Sequence, residues 1–347
     1  MVILDMKLLL RITRIVVALL LVSGVAIFWY LQLPVRSTET LIVYIPTASS
    51  ASRVTAILSR EGIVRYPSVM RGVLGAISRI TRKPMHRGSY RFAPGDTHWS
   101  VVRAMVFGDG VLTVRVTFPE GISARRFASI IQSKLGSDSA NFMRLVYADS
   151  LIEANNVPVN SLEGYLMPDT YDFYINQPAG EVLDRLLREQ RSMWSTRFEK
   201  LYSSSTLGKS MSKHRVLTLA SIVESETSVN SERARVAGVY LNRLRLGMKL
   251  AADPTVQYAL GGEARRLLYR DLEIDNPYNT YRYAGLPPGP ICSPGAASIE
   301  AVLNAESHSY LYFCALGDGS GMHAFAVTGS DHAKNVARYR RQRALRQ

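Results

Sequence analysis

Cysteine is nearly absent from this chain, with two in 347 residues. So few exclude a disulfide-stapled scaffold and a cysteine-rich zinc module. The six histidines are scattered and form no H-E-x-x-H pair. There is no G-x-S-x-G nucleophile turn, no phosphate-cradling glycine loop, and no cysteine in a setting that would favour a thiolate. Acid is scarce beside base: 28 Asp and Glu against 42 Lys and Arg, a net charge of +14. What is present is 47% apolar and 20% charged residues, the balance of a folded protein. The length suits one large domain or two ordinary ones.

Residues 15–33 read IVVALLLVSGVAIFWYLQL, an uncharged run of 19. As a helix that is about enough to cross a ~30 Å hydrocarbon core. Lys7, Arg11 and Arg14 precede it, while Trp29 and Tyr30 lie near its far end. Basic residues before the span favour an N-terminus left in the cytoplasm, and the aromatics suit the far interface. The alternative is a cleaved signal peptide, but no A-x-A-like site follows and the run is long for one. The expectation is an uncleaved single-pass anchor with everything beyond Arg36 exported. No other run reaches spanning length. The exported part carries +12. Such a basic segment outside the cytoplasm has no genome to meet and carries no nucleic-acid motif, so head groups or an acidic wall polymer are the expected contacts. Many arginines that simply keep the surface solvated are an equal alternative.

The exported part opens with an internal echo. Val43-Tyr44-Ile45-Pro46 reads as a strand ending in proline, followed by a helical pattern through Val54, Ile57 and Leu58. Val116-Thr117-Phe118-Pro119 and then Phe127, Ile130 and Ile131 repeat it at an offset of 73 residues. Both copies predict strand, turn and amphipathic helix, two small α+β units. Between them, 62–95 holds no acid and seven basic residues, either an anion-binding block or a solvated face.

Residues 201–213 are serine-rich and predict a loop. A helix is expected from His214 through Val223, and a second with Ser231 as N-cap and Gly247 past its end. Val236, Val239, Tyr240 and Leu244 would form the buried face of the second. Short strands are expected at 170–174, 310–314 and 324–327. The stretch 285–295, GLPPGPICSPG, must be an ordered or lid-like loop.

With the nucleophile systems excluded, carboxylates in apolar company remain, the material of glycoside chemistry. The strongest candidate is Val223-Glu224-Ser225-Glu226-Thr227, two acids closing an apolar helix. A carboxyl there loses water, which favours its neutral form and suits a general acid. Residues two apart on a helix point about 200° apart, so only one of the two faces a given cleft. Glu226 falls between Leu219 and Ile222, and Glu224 beside Leu217, so periodicity does not choose. Both could equally be ordinary helix-end acids.

Longer motifs do choose. Glu163-Gly164-Tyr165-Leu166-Met167-Pro168-Asp169-Thr170-Tyr171 resembles EGxLxPDTY of the endolytic murein transglycosylases, the single-span, YceG-like wall enzymes. Leu219 through Thr227 resembles their LASIVExET. Glu232-Arg233, Asn242-Arg243-Leu244, Asp253-Pro254-Thr255, Tyr278-Asn279-Thr280-Tyr281, the 285–291 segment, His323-x-Phe325 and His332 follow at the family spacing. The resemblance covers nearly the whole chain, anchor included. It implies an α+β protein: an anchor over 1–36, a LysM-like α+β region with two repeat-like units over 37–160, and a catalytic α+β domain over 161–347. It implies an inner-membrane enzyme with its catalytic region in the periplasm.

The resemblance also implies the chemistry. Glu226, protonated, would donate to the oxygen linking N-acetylmuramic acid to N-acetylglucosamine within a strand. As carboxylate it would then take the proton of the muramic C6 hydroxyl, which attacks C1 and closes a 1,6-anhydro ring. Asp253, Tyr278, Asn279 and Tyr281, with Glu163 and Asp169, are expected at the sugars, and Glu224 as a neighbour that tunes Glu226. Capping or packing would explain each of these equally well. Neither a metal nor a cofactor is required. Wall-synthesis enzymes are the expected protein partners, and termination of growing strands the expected role. The sequence departs from the pattern at Ala251-Ala252, Ala305 and Asp331, and at Cys292 and Cys314. An oxidising compartment would permit these two cysteines to pair, but nothing in the sequence brings them together. A hydrolase using Asp253 to hold water, and a non-catalytic wall-binding scaffold, are the rival readings.

Overall fold

A computed structural model describes residues 6–261 and 265–344, and it is a mixture of helix and sheet. In chain order the elements are α1 (Met6–Gln32), β1 (Leu41–Ile45), α2 (Ala51–Arg60), α3 (Pro67–Thr81), β2 (Gly88–Phe92), α4 (His98–Phe107) and β3 (Val111–Thr117). There follow α5 (Ala124–Leu135), α6 (Ser139–Val146), α7 (Asp149–Ala154), β4 (Thr170–Tyr174), α8 (Ala179–Met193), α9 (Glu199–Ser204) and α10 (Lys213–Glu226). The chain ends with α11 (Asn230–Arg245), α12 (Asp253–Ala259), α13 (Ala296–Leu303), β5 (Tyr312–Ala315), β6 (His323–Ala326) and α14 (Gly329–Ala344). Two compact units emerge: Met1–Arg115 with Asp172–Gln177, and Val116–Tyr171 with Pro178–Gln347.

In the first unit, Leu8–Gln32 of α1 is long and apolar enough to cross a membrane; residues 8–29 stand exposed, while Tyr30 and the half-buried Leu31 at its end pack into the core. Strands β1 and β2 pair antiparallel, Leu41 opposite Phe92 and Ile45 opposite Gly88. They belong to a sheet of order β1-β2-β3-β4. Ile45, Val54, Leu58, Leu74, Tyr90, Val102 and Met105 fill the core between sheet and helices. All seven basic residues of 62–95 stand exposed.

The internal echo has a backbone counterpart. Ser50 caps α2 by accepting from Arg53 N, and Ser123 caps α5 by accepting from Arg126 N. Two residues before each cap the chain turns through positive φ, at Ala48 (53°) and Gly121 (74°). The same offset of 73 residues thus relates strand end, turn, cap and helix, since a serine N-cap after a left-handed residue sets how a strand hands over to a helix.

The second unit is built on α10. Every residue from Val216 to Val223 is buried, so this helix has no solvent face and lies inside the unit. Helices α11 and α13 pack on it, bringing Val236, Tyr240, Ile299 and Val302 into one core. Even Ser221 is fully buried. Its hydroxyl donates to Thr218 O and accepts from Ile291 N at 3.0 Å, which fastens the proline-rich 285–295 loop to the helix. That loop is ordered. A Cβ on Gly164, itself at φ +78°, would lie 2.2 Å from Pro290 Cβ.

Three local expectations shift. The serine-rich 201–213 segment is half helical: α9 runs to Ser204 and a 3₁₀ turn covers Leu207–Lys209. The half-buried Leu201, Tyr202 and Leu207 pack on the core and hold it folded despite its polar composition. Helix α11 begins at Asn230, with Val229 rather than Ser231 at its N-cap. Thr227 Oγ1 accepts from Val229 N at 3.0 Å and stops the preceding turn. The last two strands sit at 312–315 and 323–326, paired antiparallel. Cys292 and Cys314 are both free thiols, the first buried.

Candidate active site

Helix α10 ends at Glu226, where the core gives way to a polar rim. The buried phenol of Tyr240, on α11, donates to Glu226 Oε1 at 2.5 Å. Glu226 itself is half-buried. Burial pushes its carboxyl up to about 7; the Asp253 charge pushes the same way, while Tyr240's hydrogen bond and Arg243 pull it down. Asp253 opens α12, is exposed, and accepts from the Tyr281 hydroxyl at 2.6 Å. Arg243 is fixed by donating to Leu311 O at 2.7 Å and Leu250 O at 2.5 Å. A carboxyl with a near-neutral pKa, one oxygen held and the other free, is what a group acting first as acid and then as base requires.

Glu224 lies two residues back on the same helix but in different company. Its carboxylate accepts from Arg233 at 3.0 and 3.3 Å and from Gly295 N at 3.0 Å. Both side chains of the pair are only 7% exposed. Glu120 completes the group, 3.9 Å from Arg233, and a Cβ on Gly295 would collide with the Glu120 carboxyl. The pair ties α10, α11 and the start of α13 together. Its acid is thereby occupied.

The other expected sugar contacts divide. Glu163 is buried and accepts from Ala124 N at 2.8 Å, capping α5 from outside that helix; burial raises its pKa to about 8. Asn279 is fully buried. It donates to Leu272 O and Ile274 O at 2.9 and 2.8 Å and accepts from Tyr281 N, so it pins its own loop and has no atom left for a ligand. Tyr278 is half-buried against Tyr258, with ring centroids 4.8 Å apart. Asp169 is exposed and accepts from Thr170 N. Of the eight residues singled out in the sequence, Glu226, Asp253 and Tyr281 come together; Glu163, Glu224 and Asn279 are spent on the frame.

His323 donates through Nδ1 to Glu232 Oε2 at 2.9 Å, and Glu232 Oε1 accepts from the His323 backbone N. It anchors β6 to α11. Two members of the cluster escaped the sequence reading. Tyr240 was visible only as a core position, although a tyrosine on an otherwise aliphatic face signals a buried hydroxyl in need of a partner. Arg243 lay inside a quoted motif with no assigned task.

Near Ser225 a cavity of about 330 Å³ is lined by Arg126, Gln257, Tyr258 and Ile291 among others. It gives the end of α10 a concave, mixed polar and apolar setting of the kind that holds small ligands.

The known proteins that this chain resembles agree on one family. The pattern of the YceG-like family matches residues 43–338. An endolytic murein transglycosylase of Bacillus subtilis is 30% identical, with 87% of this chain and 86% of that protein aligned. One from Streptococcus pneumoniae is 25% identical, and the alignment spans 89% of this chain but 60% of that longer protein. The crystal structure of a YceG-like protein from Listeria monocytogenes superposes with a TM-score of 0.58 at 30% identity, covering 86% of this chain and 99% of that one. The chain belongs to the YceG-like family.

Proposed function

We propose that this protein is a membrane-anchored lyase of peptidoglycan, an endolytic lytic transglycosylase that cuts within glycan strands. The observation that carries the reading is the Glu226 carboxyl: near-neutral, half-buried, and held on one oxygen by Tyr240. Its free oxygen, protonated, donates to the glycosidic oxygen leaving C1 of N-acetylmuramic acid. The resulting carboxylate accepts the proton of the C6 hydroxyl as that oxygen bonds to C1. The strand is left with a 1,6-anhydro end, the departing sugar keeps the first proton as its hydroxyl, and Glu226 is left protonated again, so no water is consumed. Asp253 and Tyr281 flank the reacting carboxyl and meet the sugars, with Tyr278 and Asp169 as outlying contacts. Glu224, Glu163 and Asn279 hold the frame.

On this reading residues 1–36 tether the enzyme to the inner membrane, 37–160 form a LysM-like region that engages glycan, and 161–347 are catalytic. An anchored cutter of nascent strands would set their length beside the enzymes that make them. The names borne by the relatives support the activity. The proximity of Asp253 favours one alternative, a hydrolase in which that carboxylate holds a water.

The experiment that assigns the acid compares Glu226→Gln with Glu224→Gln on purified glycan strands. The first variant should lose at least about 100-fold in rate, the scale of a lost general acid, while remaining folded. Equal losses, or a larger loss from Glu224→Gln, would sink the assignment.

A further inference from the structure

Helix α1 does not end on a free linker; its last turn is built into the first unit. Tyr30, 6% exposed, lies against the rings of His98 and Tyr66, with centroids 4.6 and 6.2 Å away, and its hydroxyl donates to Tyr66 O at 3.4 Å. His98 is fully buried and uses both ring nitrogens. Nδ1 donates to Leu33 O at 2.8 Å, and Nε2 accepts from Arg65 N at 3.2 Å. The backbone continues the joint: His98 N donates to Leu33 O, Val35 N to Asp96 O and Arg36 N to Ile63 O, at 3.0, 2.7 and 3.0 Å. At this joint the apolar helix and the folded unit are one body, so the depth of the first sets the depth of the second.

Length fixes that depth. The exposed, uncharged stretch of α1 is residues 15–29, about 22 Å as a helix, against a hydrocarbon core of ~30 Å. Arg11 and Arg14 mark its other end, so the missing length comes from Tyr30–Leu33, the turn already packed in the unit. The bilayer surface therefore reaches the residues that hold this turn.

Those residues and their neighbours carry the side chains such a surface favours. Tyr66 is 53% exposed, Val69, in the first turn of α3, is 40% exposed, and Trp99, in the first turn of α4, is 42% exposed. Helix α4 packs on α1, and Trp99 directly follows the histidine that grips Leu33. Tryptophan and tyrosine prefer the head-group layer, where one end of the ring is apolar and the other wet. Arg36 and Arg65 stand exposed beside them, while the nearby Asp96 is turned onto Ala93 N at 2.7 Å. An apolar and aromatic face edged with base complements anionic head groups. We propose that this face, Tyr66, Val69 and Trp99 with Arg36 and Arg65, rests in the lipid head groups around the exit of the membrane helix. It orients the first unit on the bilayer and does not replace the anchor. This rests on the reading of α1 as a membrane span.

The chain has three tryptophans, Trp29, Trp99 and Trp194, and the first two report on span and face separately. The full chain, labelled with fluorotryptophan, is placed in bilayer discs of phosphatidylcholine and phosphatidylglycerol mixed three to one. The two resonances are assigned with Trp29→Phe and Trp99→Phe, both at exposed positions. Some of the lipid then carries a nitroxide at the head-group end of its acyl chain. Trp29 should broaden as the marker of the span, and Trp99 should broaden with it and lose most of its intensity. A water-soluble nitroxide should affect Trp99 less than the lipid-borne one does. A Trp99 resonance that stays sharp beside a broadened Trp29, or that yields more to the soluble nitroxide, leaves the anchor standing and overturns the proposal. A Trp29 resonance that stays sharp removes the anchor, and the proposal with it.

Discussion

Glu226 and Glu224 differ by two positions and by almost everything that decides a carboxyl's behaviour. Glu224 is tied to a guanidinium and a backbone N–H; Glu226 meets a phenol and the edge of the core, and burial raises its pKa to about 7. Tyr240 sets this balance, because a phenol donating to Oε1 stabilises the carboxylate. Its removal in Tyr240→Phe should raise the pKa of Glu226. As the acid must start protonated, the fall of kcat/KM on the alkaline side should move to higher pH, with kcat down roughly tenfold or more. A pH–rate profile of the variant that overlays the parent's would refute that role. Glu163 offers a second titration. Its folded pKa of about 8 lies above the ordinary 4.5, so the folded state holds a proton that the unfolded chain releases. The stability from this group is complete below the ordinary value and is lost as pH climbs through the folded one. Glu163→Gln keeps the acceptor for Ala124 N and removes the titration. Its melting temperature should therefore vary less than the parent's between about pH 5 and pH 8. Arg233 should be less forgiving. Arg233→Met strands a carboxylate that is 7% exposed, and unfolding by denaturant should register a loss of about 3–5 kcal/mol.

At the scale of elements, α10 explains why the site is where it is. Its wholly buried sequence forces it inside, so only its ends reach polar surroundings, and the acids sit at one of them. That much was legible, because eight consecutive apolar or small residues cannot face water. The strand at 170–174 was legible too, from its alternation. The helix inside 201–213 was not: its serines argue for a loop, and only tertiary packing of Tyr202, whose hydroxyl donates to Met211 O at 2.9 Å, overrides them. Nor could spacing separate Asn279, which ties its own loop, from Tyr281, which reaches Asp253. The two belong to one short motif, and the direction of each side chain is set by a turn that sequence does not spell out. Helix α11 carries a similar hidden constraint at Gly238. Glycine to alanine inside a helix ordinarily stabilises by about 1 kcal/mol. Here the new Cβ would lie 2.4 Å from Glu306 O and 2.6 Å from His308 Nε2. Gly238→Ala should thus lower the melting temperature instead, and a rise would mean that the 306–308 segment yields easily.

For the molecule as a whole, charge and hydropathy separate two tasks. Residues 8–29 of α1 offer an exposed apolar span, while the rest carries the excess of base. Removal of residues 1–36 should release the protein from membranes into the soluble fraction without abolishing cleavage of isolated strands. A truncated protein that still sediments with vesicles would assign attachment to the exposed basic residues of 62–95 instead. Family membership was readable because its motifs are long, and the division of labour within them was not, because burial and partner choice are properties of the folded chain. The central claim is that the C6 hydroxyl of the sugar, and not water, takes C1 under the control of Glu226. Digestion of glycan strands in water enriched in heavy oxygen tests it directly, by the mass of the new muramic ends. The account predicts anhydro ends that carry no heavy oxygen and are absent with Glu226→Gln. Reducing ends that have gained one heavy oxygen would contradict it and make the enzyme a hydrolase.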